Sequence, residues 1–147
     1  PAEAFQHRRI TDAVHEANGR IVLQILHSGR YAFNPRSVAP SAIQSPITPF
    51  APKAMTEQEI FDTIDDFGHC AALALEAGYD GVEVMGSEGY LLNQFTAPRT
   101  NQRDDPWGGD ATRRMRFPLQ VAEKIRAVMG NRGILMYRLS ILDLVVY

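Results

Sequence analysis

Three short apolar runs, each preceded by a stretch with helical spacing, set the strongest limit on what this chain can fold into. The runs are Ile21-Val22-Leu23-Gln24-Ile25-Leu26, Asp80-Gly81-Val82-Glu83-Val84-Met85 and Ile134-Leu135-Met136-Tyr137-Arg138-Leu139. Their length and their β-branched content mark them as strands, and the first has the composition of a strand buried on both faces. Ahead of it, from about Ala4 to Asn18, Ile10, Ala13, Val14 and Ala17 recur at helical spacing, with Gly19 where a left-handed cap belongs. Ahead of the second run, Thr56-Glu57-Gln58-Glu59 has the form of a capping box. Ile60, Ile64, Phe67, Ala71 and Ala74 follow, and Gly78 closes the segment. Ahead of the third run, Met115, Leu119, Ala122, Ile125 and Met129 mark a helix that Pro118 is expected to kink or to begin, because proline lacks an amide hydrogen. Helix and strand alternating in this way imply right-handed βαβ units on a parallel sheet. The alternation alone does not separate a barrel from an open doubly wound sheet. The chain has no strand-GxGxxG-helix unit, which weighs against a dinucleotide-binding fold.

The remaining segments are loops. Residues 31–54 carry prolines at 35, 40, 46, 49 and 52 and read as a long functional connection. Tyr90 to Phe95 is a short helical patch, and residues 97–110 form a polar loop. A net charge of -2 in 147 residues argues against a nucleic-acid partner. The single cysteine, Cys70, is expected as a small buried hydrophobe, and its solitude fits a reducing cytoplasm. No basic segment leads into an apolar run at the N-terminus, and no window approaches the ~18 apolar residues of a membrane span, so neither a signal peptide nor membrane insertion is expected.

Parallel α/β folds gather ligands at the carboxyl ends of their strands. Gln24, with His27 and Arg30 beyond it, lies at the end of the first; Ser87, Glu88 and Tyr90 follow the second; Arg138 and Ser140 end the third. An amide, a permanent cation, a phenol and a carboxylate therefore share one rim. Each also has a plainer reading. Gln24 can satisfy its amide within a barrel layer, Arg138 can pair with a structural carboxylate, Tyr90 can be packing, and Glu88 can cap the short helix. His27, Arg30 and Arg99 can simply be solvated.

Several segments together resemble the old yellow enzyme family of flavin-dependent reductases. Gln24-Ile25-Leu26-His27-Ser28-Gly29-Arg30 resembles the segment after that family's third barrel strand. Residues 78–84 and Gly89-Tyr90-Leu91-Leu92-Asn93-Gln94-Phe95 resemble the fourth strand and its loop. Asn101, Arg103, Asp105, Gly108, Gly109, Arg114, Arg116 and Phe117 fit the segment that follows, and Arg138-Leu139-Ser140 fits the end of the fifth strand. Ene reductases of the family usually carry a His and, three residues later, a His or Asn to hold a substrate carbonyl. Met85 and Glu88 stand there instead. Residues 85–90 and 99–103 are similar to bacterial 2,4-dienoyl-CoA reductases.

The resemblance implies a partial (β/α)8 TIM barrel, about strands 3 to 5 with their helices, in a piece incomplete at both ends; a whole barrel takes about 250 residues. It implies FMN held at its pyrimidine edge by Gln24, with Arg138 near flavin N1 and O2, where a cation favours the reduced ring. Tyr90 is implied as the general acid that protonates substrate carbon as flavin N5 delivers hydride, with Glu88 orienting the phenol or a histidine from elsewhere. Arg99 is implied as a contact to an acyl-CoA thioester. Structural pairing is favoured for His27, Arg30 and the Arg113 to Arg116 cluster. For a full-length parent the resemblance implies FAD, a 4Fe-4S cluster and NADPH, with no ligands for them in this chain. It also implies the remaining barrel strands and a C-terminal NADPH domain as partners, and a role in breakdown of unsaturated fatty acids. Other implied readings are an enone reductase, an amine dehydrogenase-like relative, or an inactive fragment whose unpaired sheet edges associate.

Overall fold

The structure is a computed structural model that describes residues 2–142. The Leu144-Val145-Val146-Tyr147 run, read as lying just past the fifth barrel strand, falls outside the described residues. The three expected strands form one parallel sheet. Strand β1 (Val22–Ile25) opens it, and two short strands, β2 (Val38–Ala39) and β3 (Lys53–Ala54), pair separately within the proline-rich connection. Strands β4 (Gly81–Gly86) and β5 (Ile134–Leu139) complete the main sheet in the order β1-β4-β5. Among the described residues it does not close into a barrel. Register places Gln24 beside Glu83, and Met85 beside Arg138.

Among the described residues four α-helices accompany the strands: α1 (Ala2–Glu16), α2 (Glu57–Glu76), α3 (Leu91–Thr96) and α4 (Ala111–Met129). The capping box forms as expected: Thr56 Oγ1 accepts from Glu59 N–H at 3.2 Å and Glu59 Oε2 accepts from Thr56 N–H at 2.7 Å. Ile60, Ile64, Phe67, Ala71 and Ala74 of α2 pack with Phe117, Val121, Ile125 and Met129 of α4. This layer covers Val82, Val84 and Ile25 on one side of the sheet. No helix among the described residues is long and apolar enough to cross a membrane.

Several local expectations are corrected. The first strand is not buried on both faces: Gln24 is exposed and only Ile25 is fully covered, because the helices lie on one side alone. In α4 the buried face runs through Phe117, Pro118, Val121, Ile125 and Met129, while Met115 and Leu119 are exposed. Two apolar stripes offset by two residues, Met115–Leu119 and Phe117–Val121, run into the same Ile125 and Met129, and contact with α2 selects the second. Pro118 does not begin the helix. Asp110, whose carboxylate accepts from Arg113 N–H, caps the true start, and α4 runs on through the buried proline at the cost of one backbone bond to Arg114. Asn18, at φ 58°, takes the left-handed position expected of Gly19, and α1 already ends at Glu16. Its Ile10 and Ala13 face solvent, and Thr11 is its buried residue, donating its hydroxyl to Ala77 O at 2.8 Å. Cys70 is half-buried rather than buried.

Candidate active site

Strand alternation assigns the sheet faces. Leu23, Ile25, Val82, Val84, Leu135 and Tyr137 point toward the helices, where burial pushes the Tyr137 phenol up to about 12. The opposite face carries Gln24, Glu83, Met85 and Arg138, contributed by all three strands. On this face the Gln24 amide donates from Nε2 to Glu83 Oε1 at 2.5 Å. Arg138 Nη1 lies 3.8 Å from the same Glu83 oxygen, and Arg138 Nε lies 3.9 Å from Glu88 Oε1. The expected amide and cation are thus brought together, and Glu83 in the central strand joins them.

The loop after β4 is held open in an uncommon conformation. Glu88 sits at φ 60°, a left-handed backbone seldom adopted by a residue with a side chain, and its N–H donates to Ser140 Oγ at 3.1 Å. Gly89 follows at φ 78°, where an added Cβ would come within 2.3 Å of Tyr31 Oη. Tyr90 is the N-terminal cap residue of α3 without a side-chain cap bond, and its ring meets Tyr31 edge-on at 6.0 Å. Glu88 therefore does not cap α3; its carboxylate lies beside Arg138. Met85 is buried, and the Ser87 hydroxyl donates to its sulfur at 3.2 Å.

Gln94 fastens this loop to the one after β1. It is buried, accepts from Arg30 N–H at 3.1 Å, and donates to Gly89 O at 2.6 Å and Ser28 O at 3.2 Å. The two loops enclose a cleft of about 260 Å³ whose walls include Arg30, Tyr31, Glu88, Asn93, Gln94 and Arg99. The structure therefore brings Arg99 to the same cleft as Glu88.

Of the residues favoured for structural pairing, His27, Arg113, Arg114 and Arg116 have partners, whereas Arg30 Nε is buried without a hydrogen bond among the described residues. Desolvation by burial lowers the His27 pKa, partly opposed by Asp66, and the ring accepts at Nδ1 from Gly29 N–H at 3.0 Å. Arg114 donates from Nε to Thr96 O at 2.8 Å, Arg113 lies 3.7 Å from Asp110, and Arg116 stacks over Trp107 at 5.0 Å. Arg30 stands 5.6 Å over the Tyr31 ring. Three residues that the sequence reading gave no role, Glu83, Tyr31 and Gln94, hold the rim together. A carboxylate within an otherwise apolar strand was the available signal for Glu83; nothing local marked the other two.

Comparison with known proteins gives the family and the fold. The sequence pattern of the NADH:flavin oxidoreductase / NADH oxidase family matches residues 2–146. The chain belongs to that family. A metal reductase of Desulforamulus reducens is 41% identical over 128 residues, which are 84% of this chain and 19% of the relative. Morphinone reductase superposes with a TM-score of 0.84 at 31% identity, covering 91% of this chain and 42% of that one. A 2-naphthoyl-CoA reductase complex superposes with a TM-score of 0.82 at 31% identity, covering 90% and 23%. The chain thus has the fold of part of an old yellow enzyme barrel, and it spans about a fifth of the length of the metal reductase.

The residues fit the family's FMN. A flavin pyrimidine edge alternates acceptors with a donor, and a primary amide matches it with two N–H groups and one carbonyl. Glu83 takes one N–H of Gln24, leaving a donor and the acceptor. Arg138 adds a fixed cation on the same face of the sheet.

Proposed function

We propose that this chain contributes strands three to five of the FMN barrel of a longer, NADPH-dependent reductase acting on 2,4-dienoyl-CoA thioesters. The observation that carries the substrate class is the pair Met85 and Glu88. Met85 is buried with only a weakly accepting sulfur, and the Glu88 carboxylate, an acceptor when ionised, faces Arg138. Neither supplies the hydrogen-bond donor that a small enone carbonyl needs at this rim. A coenzyme A ester processed on the same fold, in the 2-naphthoyl-CoA reductase complex, lends support to a thioester.

Bound FMN would supply hydride to the carbon chain. Gln24 would orient the ring through the amide groups left free by Glu83, and Arg138 would offset charge that develops on it. Tyr90 would hold the proton for substrate carbon, since a phenol O–H can donate to a carbanion-like centre. Tyr31, edge-on to Tyr90, would limit the ring's swing. Arg99 would meet the thioester portion across the cleft. The FAD, iron-sulfur cluster and NADPH domain would belong to the rest of the protein, with the cytoplasm as its compartment.

The test is a stopped-flow comparison on the full-length protein. Reoxidation of reduced flavin by 2,4-dienoyl-CoA is expected to be fast and by 2-cyclohexenone slow. Tyr90→Phe should slow reoxidation by about 10²–10⁴-fold, the usual contribution of a general acid, without changing flavin reduction by NADPH. Preference for the cyclic enone would favour the enone-reductase reading instead.

A further inference from the structure

Glu83 is the one ionisable residue of the central strand β4, flanked by the fully buried Val82 and Val84. It is also the point at which the side chains of all three strands meet: the amide of Gln24 from β1 at 2.5 Å and the guanidinium of Arg138 from β5 at 3.8 Å both reach its Oε1. A carboxylate accepts and does not donate when ionised, so it can bind only the N–H side of an amide. This contact distinguishes the two ends of the Gln24 side chain, which are otherwise nearly equal in size. Without it the amide can turn over and present donor where acceptor is needed. The same carboxylate also neutralises part of the Arg138 charge, and Glu88 at 3.9 Å neutralises more.

We propose that Glu83 is a positioning residue of the flavin pocket, fixing the Gln24 amide and attenuating Arg138, so that it sets the relative affinity for oxidised and reduced FMN. The inference rests on the reading that Gln24 and Arg138 meet FMN. Its sign follows from charge. Reduction places negative charge on the ring near a cation, and that cation favours the reduced form more strongly when less of it is neutralised. Removing the Glu83 charge should therefore favour reduced flavin.

The experiment is a spectroelectrochemical titration of the full-length, FMN-loaded protein. Glu83→Gln is expected to raise the ratio of reduced to oxidised flavin affinity about tenfold, a positive midpoint shift of about 30 mV for a two-electron couple. In an Arg138→Met background the same substitution should shift the midpoint by less than a third as much. Glu83→Asp keeps the charge but not the reach, and should weaken both flavin forms at least threefold with the midpoint unmoved. A Glu83→Gln protein with unchanged midpoint and only a lower unfolding temperature makes Glu83 structural and overturns the proposal. A shift undiminished by Arg138→Met overturns the route through Arg138. If Glu83→Gln does not fold, Glu83→Asp decides: weakened flavin binding supports the proposal and unchanged binding overturns it. If the unaltered full-length protein retains no FMN, the flavin reading itself fails, an outcome distinct from all of these.

Discussion

Asp80 does at the amino end of the sheet what Glu83 does on its open face, joining elements distant in sequence through one carboxylate. Its Oδ2 accepts from Ile21 N–H at 2.7 Å and lies 3.0 Å from His15 Nε2, with Arg20 at 3.9 Å from Oδ1. The Ile21 hydrogen bond first, and the His15 contact next, hold this carboxyl below its ordinary value of 3.8. A folded-state pKa below the unfolded one means that folding is favoured by the ionised form. The contribution is therefore complete above pH 3.8 and is lost as pH falls through the folded value. Thermal unfolding followed by circular dichroism at pH 6 and pH 3 should show a larger drop in Tm for the unaltered chain than for Asp80→Asn, which keeps an oxygen for Ile21 but cannot titrate. Equal drops would mean that other carboxylates govern acid unfolding. Sequence identified Asp80 only as the start of a strand, because its partners lie more than fifty residues away.

Helix α2 is the element most completely specified by local sequence. Its capping box, its apolar spacing and its closing Gly78, at φ 88°, all act within a few residues. A capping substitution, Thr56→Ala, is expected to cost about 1 kcal/mol in urea unfolding, since an orphan amide at the helix start loses its acceptor. Lys53 donates to Glu59 at 2.8 Å, and chiefly through this bond holds that carboxyl down to about 2. Glu59 thus supports the helix start above pH 4.5, and this support is lost as pH falls toward about 2. Helix α4 is the contrary case. Its existence was legible, but its buried face and its passage through Pro118 were not, because both depend on which side meets α2 and α3. The strands behave likewise: their positions were readable from composition, whereas the exposure of Gln24 follows from the helices covering only the other face of the sheet.

At the scale of the molecule, one sheet face is covered by helices and the other carries Gln24, Glu83, Met136 and Arg138 with partial or full exposure. Leu26, Met136, Leu139, Ile141 and Leu142 expose large apolar side chains near this face or its rim. Unpaired strand edges beside apolar surface favour association. The purified 147-residue chain is expected to show concentration-dependent oligomers in sedimentation velocity and to enhance ANS fluorescence. A monomer at all concentrations, without ANS binding, would show that this surface is tolerated in water and that the chain stands alone.

The helix–strand alternation, the parallel sheet, the family, and the placement of Gln24, Tyr90, Glu88 and Arg138 toward the strand ends were legible along the chain. All of these follow from short-range spacing or from motifs contiguous along the chain. Three-dimensional packing was needed to show that Glu83 joins Gln24 to Arg138, that Gln94 ties the two rim loops together, and that Tyr31 stands against Tyr90. Those contacts depend on strand register and loop closure across some sixty residues or, between Glu83 and Arg138, a whole helical crossover. Hydrophobic period marks where an element lies, but the packing of α2 and α4 on the sheet, with the register it sets, decides which face is buried and which side chains meet.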